Sequence, residues 1–432
     1  MKTSTLFNKT VITFASAAAF GLAAQAQSVD SLLNKLVEKG VLTGQEAKVL
    51  REEADKDFAK AHRAKTGMPE WISSLTWKGD LRLRTEHIKG TTGTDVDRTR
   101  YRYRLRYGME AVFKEDFKVG VRFASGASDD PISTNQSFTD NGAKKPLFVD
   151  LVYVTWTAIN NSDLALAVTA GKMENPFTSQ ELKFSDSLFD SDFTPEGLAL
   201  GANWHINASH DLALGAGIFP MDENSAMEMD PFLAVYKAQL NSKWSSQIVS
   251  TIGFGGYARG NSAGFSSDGL GLLKNNAGGQ SSDGTGQTYT PLVADASLTY
   301  TLESFPFYSG AFPITVAGEF IRNPQAPSGE DTGYSAGITF GKSGKKGLWD
   351  VSYRYKELQK HAVWEDLADS DYGSYSGGSY ATGTDSRGHL FHFQYNISDA
   401  FNLSLKHYWT ARIAANNGLD THRTIADLIW KF

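Results

Sequence analysis

The 432-residue sequence contains no cysteine and only 12 prolines. Without thiols there is no disulfide scaffold, thiolate zinc site, iron–sulfur cluster or cysteine nucleophile. Beyond the first 26 residues no apolar run approaches the ~20 residues that a spanning helix needs. A helical membrane protein is therefore excluded. A basic excess is missing too: Lys plus Arg is 42 against 48 Asp plus Glu, a net charge of −6. A nucleic-acid binder would normally show its basic surface in that total. The 41% apolar and 12% aromatic content is ample for an ordered fold and argues against disorder. A β-barrel survives all these exclusions, because its strands are apolar only at every second residue.

Lys2 and Lys9 open the chain with positive charge, TVITFASAAAFGLAA supplies a short apolar core, and Ala24-Gln25-Ala26 gives a small-x-small cleavage site. This predicts a signal peptide over 1–26, of bacterial style, and export to the periplasm or outer membrane. A helical period follows. Leu32, Leu33, Leu36 and Val37 share one face, Gly40 interrupts, and Thr43 with Glu46 forms a capping box. Ala47, Leu50, Ala54, Phe58 and Ala61 then make a second stripe. Residues 27–66 are expected to be a periplasmic helical hairpin or a short coiled coil. Pro69 lies in the linker 67–73, since proline biases the residue before it away from helix.

From Ser74 the period changes from 3.6 to 2. In RTRYRYRLRYGMEAVFK, Tyr101, Tyr103, Leu105, Tyr107, Met109, Ala111 and Phe113 fall on one face, and Arg100, Arg102, Arg104, Arg106 and Glu110 on the other. Alternating runs of this length exceed the ~5–6 residues usual in sandwiches and suit membrane strands of ~9–11 residues plus rims. Sixteen such strands are expected, near 74–89, 99–114, 116–127, 147–159, 163–175, 194–208, 211–221, 231–243, 244–258, 290–303, 312–323, 331–342, 347–360, 387–398, 400–413 and 421–432. Every second link is tight and the others are longer, the pattern of outer-membrane barrels, with the short turns periplasmic. An even count puts both ends of the barrel on that side. The fold class is all-β, a transmembrane antiparallel barrel of about 16 strands over 74–432.

Parity then places Lys78, Arg82, Arg84, Arg100, Arg102, Arg104, Arg106, Lys114, Lys118 and Arg122 on one face of the first three strands, against Asp80, Glu86 and Glu110. Arg or Lys at the lipid midplane costs roughly 2–4 kcal/mol, so this face points to water in the lumen. It is either a solvated lining laced with salt bridges or a selectivity wall. The second is favoured.

Other motifs carry no chemistry. GITFGKS at 337–343 is one residue too short for a phosphate loop and no helix follows it. The glycine clusters at 253–286 have no βαβ unit around them. His389 and His392 lie three apart on a strand, hence on opposite faces; no metal site and no cofactor are expected, and no nucleophile motif suggests an enzyme.

WKGDLRLR, RTRYRYRLR, VGVRFASGASDDPISTNQSF, LFVDLVYVTW, TAGKMENPF and LFDSDFTPEGLAL, with LLNKLVEKGVLTGQEAKVLR before them, resemble the bacterial putative porin family, in the style of general and phosphate-selective porins. The resemblance is dense over 29–201 and thin afterwards. It implies passive diffusion of small hydrophilic solutes or ions through an outer-membrane barrel of a Gram-negative bacterium, embedded in outer-membrane lipids, and a homotrimer. It also implies that the outward stripe Leu428, Trp430 and Phe432 is read by the barrel-assembly machinery. A further implication is that the third longer loop, 176–193, folds into the lumen and sets Glu181, Asp186, Asp190 and Asp192 opposite the arginines, with selectivity leaning weakly to anions. One alternative is a structural tether or adhesin whose periplasmic helices grip peptidoglycan. Another is a secreted soluble β-sandwich.

Overall fold

In the computed structural model the described residues are Ala47, Leu50 and Pro69–Phe432, less 91–95, 129, 179–185, 224, 226–227, 262–288, 327–328, 377–378 and 415–419. The chain divides into two compact units, Met1–Ile72 and Ser73–Phe432. The signal segment 1–26 and, but for Ala47 and Leu50, the hairpin or coiled coil 27–66 lie outside the described residues.

The second unit is built of strands: β1 (Ile72–Gly90), β2 (Val96–Phe113), β3 (Phe117–Ser125), β4 (Gln136–Ser137), β5 (Leu147–Asn160), β6 (Leu164–Lys172), β7 (Glu196–Asn207) and β8 (His210–Pro220). There follow β9 (Phe232–Lys243), β10 (Ile248–Gly260), β11 (Leu292–Leu302), β12 (Phe312–Arg322), β13 (Thr332–Gly341) and β14 (Trp349–Leu358). The last are β15 (Gly373–Ser376), β16 (Ser379–Thr382), β17 (Ser386–Asn396), β18 (Phe401–Arg412) and β19 (Thr421–Lys431). Among the described residues β15 and β16 pair with each other as a separate two-stranded sheet, and the two-residue β4 is a short addition beside β2. Among the described residues the remaining sixteen strands pair antiparallel in sequence order, and β19 returns to β1 to close the barrel. These are the sixteen strands read from the alternation, with ends shifted by a few residues. The all-β barrel has no open edge, so every wall strand satisfies its backbone groups in its neighbours.

The alternation sorts by chemistry. On β2, Tyr101, Tyr107 and Met109 are exposed on the outside while Arg104 is buried inside. Leu83, Val154, Leu200, Ile252, Leu298, Val316 and Phe320 carry the exposed apolar surface around the wall. A soluble monomer rarely presents a contiguous apolar patch beyond a few hundred Å². This belt is a lipid-facing surface. The closing seam is tight at Gly79. Its N–H donates to the Phe432 carbonyl at 3.0 Å and the Phe432 N–H returns to the Gly79 carbonyl at 3.1 Å. A Cβ there would stand 2.3 Å from the Arg106 carbonyl oxygen and 2.6 Å from the Phe432 ring, so only glycine fits.

Short links at 114–116, 161–163, 208–209, 244–247, 303–311, 342–348 and 397–400 gather on one rim. The opposite rim carries the longer ones, and two of these, 173–195 and 359–385, turn into the barrel. Their apolar residues form the main buried cluster with the inner wall.

Candidate functional site

The two infolded loops share one construction: an apolar side for one arc of the wall and an acidic side for the other. In loop 173–195 the Asn175 side chain accepts the Phe177 N–H at 3.0 Å and starts a single 3-10 turn, Pro176–Thr178. Phe177, Leu188, Phe189 and Phe193 then bury against Ala199, Phe219, Leu233, Val235 and Tyr257 of β7–β10. Gly217 makes room for them: a Cβ would lie 2.6 Å from the Phe219 ring and 3.3 Å from Phe177. Loop 359–385 buries Ala362, Val363, Trp364, Leu367 and Ala368 in the same cluster. The Tyr257 hydroxyl accepts the Trp364 backbone N–H at 2.7 Å, the indole donates to Asp366 at 2.8 Å, and the Arg259 guanidinium lies 4.6 Å over the indole.

The loops are tied to each other. The Asp190 N–H donates to the Leu367 carbonyl, the Asp369 N–H donates to the Asp186 carbonyl, and Ser370 donates to Asp190 Oδ2 from its N–H at 2.9 Å and its hydroxyl at 2.8 Å. Both then meet the charged arc of β1, β2, β14, β18 and β19. Asp192 receives Arg104 at 3.0 Å and Arg106 at 3.3 Å, and Asp80 of β1 takes a second bond from each of the two. Asp186 pairs with Arg354 and Lys356. Asp371 lies between Arg84 at 2.9 Å and Arg423 at 3.0 Å, with Lys406 at 3.8 Å. Arg84 also grips Asp427 through two bonds of 2.8 Å, and Glu86 accepts from Arg423 at 2.7 Å and from Arg100. Arg122 is held by Asp150 and Glu174.

The environment separates the loop carboxyls. Burial, with Asp192 and Asp369 close by, pushes Asp190 well above the usual carboxylate range. Burial would raise Asp192 as well, but the Arg104 and Arg106 guanidiniums hold it below that range. Asp371 is held well below it in the same way by Arg84 and Arg423.

Of the residues singled out from sequence, Arg82, Arg84, Arg100, Arg102, Arg104, Arg106 and Arg122 lie on the lumen face, and Asp186, Asp190 and Asp192 lie in the loop beside them. Glu181 lies outside the described residues. Leu428, Trp430 and Phe432 share the outward face of β19 and its end. His389 is outside, accepting or donating a 2.8 Å bond with the Tyr353 hydroxyl, and His392 is inside, 3.0 Å from Ser404. Sequence reasoning missed loop 359–385 with Asp371, the β19 pair Arg423 and Asp427, and Asp150. The apolar Ala362-Val363-Trp364 in a loop otherwise rich in Ser and Gly was the available signal. Asp150 is invisible to parity because it is the extra residue at the bulge where Arg122 pairs Leu151 and Phe123 pairs Val149. A bulge re-aims its side chain, here toward Arg122. The local excess of positive charge on β1–β3 is accordingly met in part by carboxylates arriving from elsewhere in the chain.

The model of a family described as putative porin matches residues 87–258. That stretch, less than half of the chain, is similar to the putative porins. No curated protein matches the sequence. A high-pH structure of Pseudomonas putida OprB is similar at 11% identity and a TM-score of 0.51, over 82% of this chain and 94% of that one. A Salmonella typhi OmpF complex with daunomycin has 8% identity and a TM-score of 0.46, over 83% and 97%. A mutant of the Rhodopseudomonas blastica porin has 9% identity and a TM-score of 0.44, over 83% and 100%. The likeness to OprB is one of fold. Together with the match over 87–258, it agrees with a closed barrel of the outer-membrane kind.

Proposed function

We propose that this putative porin admits small hydrophilic solutes by passive diffusion and favours anions, in a homotrimer whose long loops face outward from the cell. A sixteen-stranded barrel is wide enough to leave an aqueous channel. One observation carries the anion preference. Among the described residues seven arginines of the charged arc, Arg82, Arg84, Arg100, Arg102, Arg104, Arg106 and Arg423, stand over five carboxylates, Asp80, Glu86, Asp192, Asp371 and Asp427, and all but Arg82 pair with one of them. Lys406 adds to the positive side. Guanidiniums two residues apart on a strand are about 6.6 Å apart, within a Debye length of about 8 Å at physiological salt, so their fields add. Rows of Arg and Lys favour anions.

Conductance of the purified protein in a planar bilayer tests the reading. Steady ohmic steps with an anion-signed reversal potential are expected. A silent bilayer would favour the tether, with residues 27–66 holding the cell wall. The outward Leu428, Trp430 and Phe432 are proposed as the assembly signal. Deletion of Phe432, which also removes both seam hydrogen bonds at Gly79, should lower the amount of heat-modifiable folded barrel. Unchanged amounts would contradict it.

A further inference from the structure

The carboxylates of the charged arc are distributed unevenly. Arg84, Arg104, Arg106 and Arg423 each contact two of them, and Arg100 bonds Glu86. Arg82 forms no ion pair among the described residues. It is 91% buried and its single side-chain bond runs from a terminal nitrogen to Asn135 Oδ1 at 2.6 Å. Arg102 is 3.6 Å from Glu86, whose two oxygens already accept closer bonds from Arg100 and Arg423, and it reaches Ser133 Oγ at 3.4 Å. The Nε of Arg82 and the Nε of Arg102 are both buried without a hydrogen-bond partner.

Ser133 and Asn135 join the two. Asn135 Nδ2 donates to Ser133 Oγ at 3.1 Å, so a short polar bridge runs from Arg82 through Asn135 and Ser133 to Arg102. This segment, just before β4, is folded against the charged arc, with Ile132, Ser133 and Thr134 buried. A buried cation without a counter-charge is costly, and a buried donor without an acceptor costs as well. Both defects vanish when one negatively charged group with several acceptor oxygens enters. Guanidinium presents a planar fork that matches carboxylate and phosphate. Chloride offers a single centre and cannot fill two forks.

We propose that Arg82 and Arg102, with Ser133 and Asn135, form a binding site in the lumen for a small oxyanion, a phosphate or carboxylate group. This rests on the porin reading, and it turns a general anion preference into one for oxyanions over chloride. The other five arginines hold the infolded loops and the strands in place, and these two are left for the solute.

The test is equilibrium binding of inorganic phosphate, and separately of acetate, to the folded full-length protein in detergent by titration calorimetry in chloride buffer. Saturable binding is expected, weakened about tenfold or more in Arg82→Gln and in Arg102→Gln. Arg100→Gln, which removes the same charge from a paired guanidinium, should weaken it far less, and Arg322→Gln on β12 should not alter it. Heat-modifiable mobility verifies that each variant is folded. Should Arg82→Gln fail to fold, Asn135→Ala and Ser133→Ala keep every charge and should still weaken binding. Absence of saturable binding, or equal losses in Arg82→Gln and Arg100→Gln, would overturn the site. The readout needs no current, so intact binding in a protein that does not conduct would uphold the site and count against the porin reading alone.

Discussion

The lumen wall has two arcs that hold the same two loops by different physics. On β7–β12 the inner face offers Ala199, Phe219, Leu233, Val235, Tyr257, Val293 and Ile321, and receives Phe177, Phe189, Val363 and Trp364. On β1, β2, β14 and β19 it offers Arg and Lys, and receives Asp186, Asp192 and Asp371. Fully burying a large apolar side chain contributes about 1.5–3 kcal/mol. A buried ion pair gains little over its desolvation cost, though removal of one partner is expensive. The apolar arc therefore supplies most of the energy that keeps the loops inside. The charged arc fixes their register and sets the field that a solute meets. Docking and selectivity should be separable by mutation.

The largest effect is expected on the apolar side. Trp364→Ala deletes a side chain 2% exposed and should cost about 3–5 kcal/mol. The loops should loosen, giving larger and noisier single-channel steps and new protease cleavage within 359–385. Unchanged steps and an intact loop would break the comparison, because docking would then rest on charge.

A smaller effect should follow Asp371→Asn, which leaves Arg84 and Arg423 short of a carboxylate they share. The reversal potential under a salt gradient should move toward anions, with conductance changing less than in Trp364→Ala. Movement toward cations would contradict the account.

The smallest effect is one of pH. Asp190 has a raised pKa, so its contribution to docking is full below the ordinary carboxylate value of 3.8 and is lost as pH rises through the raised one. Asp192 is the reverse: its contribution is full above 3.8 and is lost as pH falls through its lowered pKa. Raising pH from the ordinary carboxylate value should therefore ionise Asp190 and draw the reversal potential slightly toward cations. Asp190→Asn should abolish this drift, measured as reversal potential against pH, and a drift of equal size in the variant would assign it elsewhere.

The barrel was legible in sequence because its strands alternate and a lipid-facing wall enforces that period along them, bulges apart. The arginine face was legible by the same parity. Its partners were not, since Arg84 meets Asp427 from the far end of the chain and Asp371 from a loop that has no strand period. Loop 176–193 drew notice through its carboxylates, whereas 359–385 looked like any polar link except for Ala362-Val363-Trp364. Asp150 was hidden by a bulge. Local pattern thus shows where charge sits, and only the closed barrel shows what neutralises it.

The most direct test of the division between the arcs is the reversal potential in a planar bilayer under a salt gradient, for the wild type and two charge variants. The wild type should be anion-selective, Arg102→Ser with Arg104→Ser should move it toward cations with a modest rise in conductance, and Asp192→Asn should move it the other way. Values unchanged in both variants would show that the charged arc does not set the selectivity of the channel.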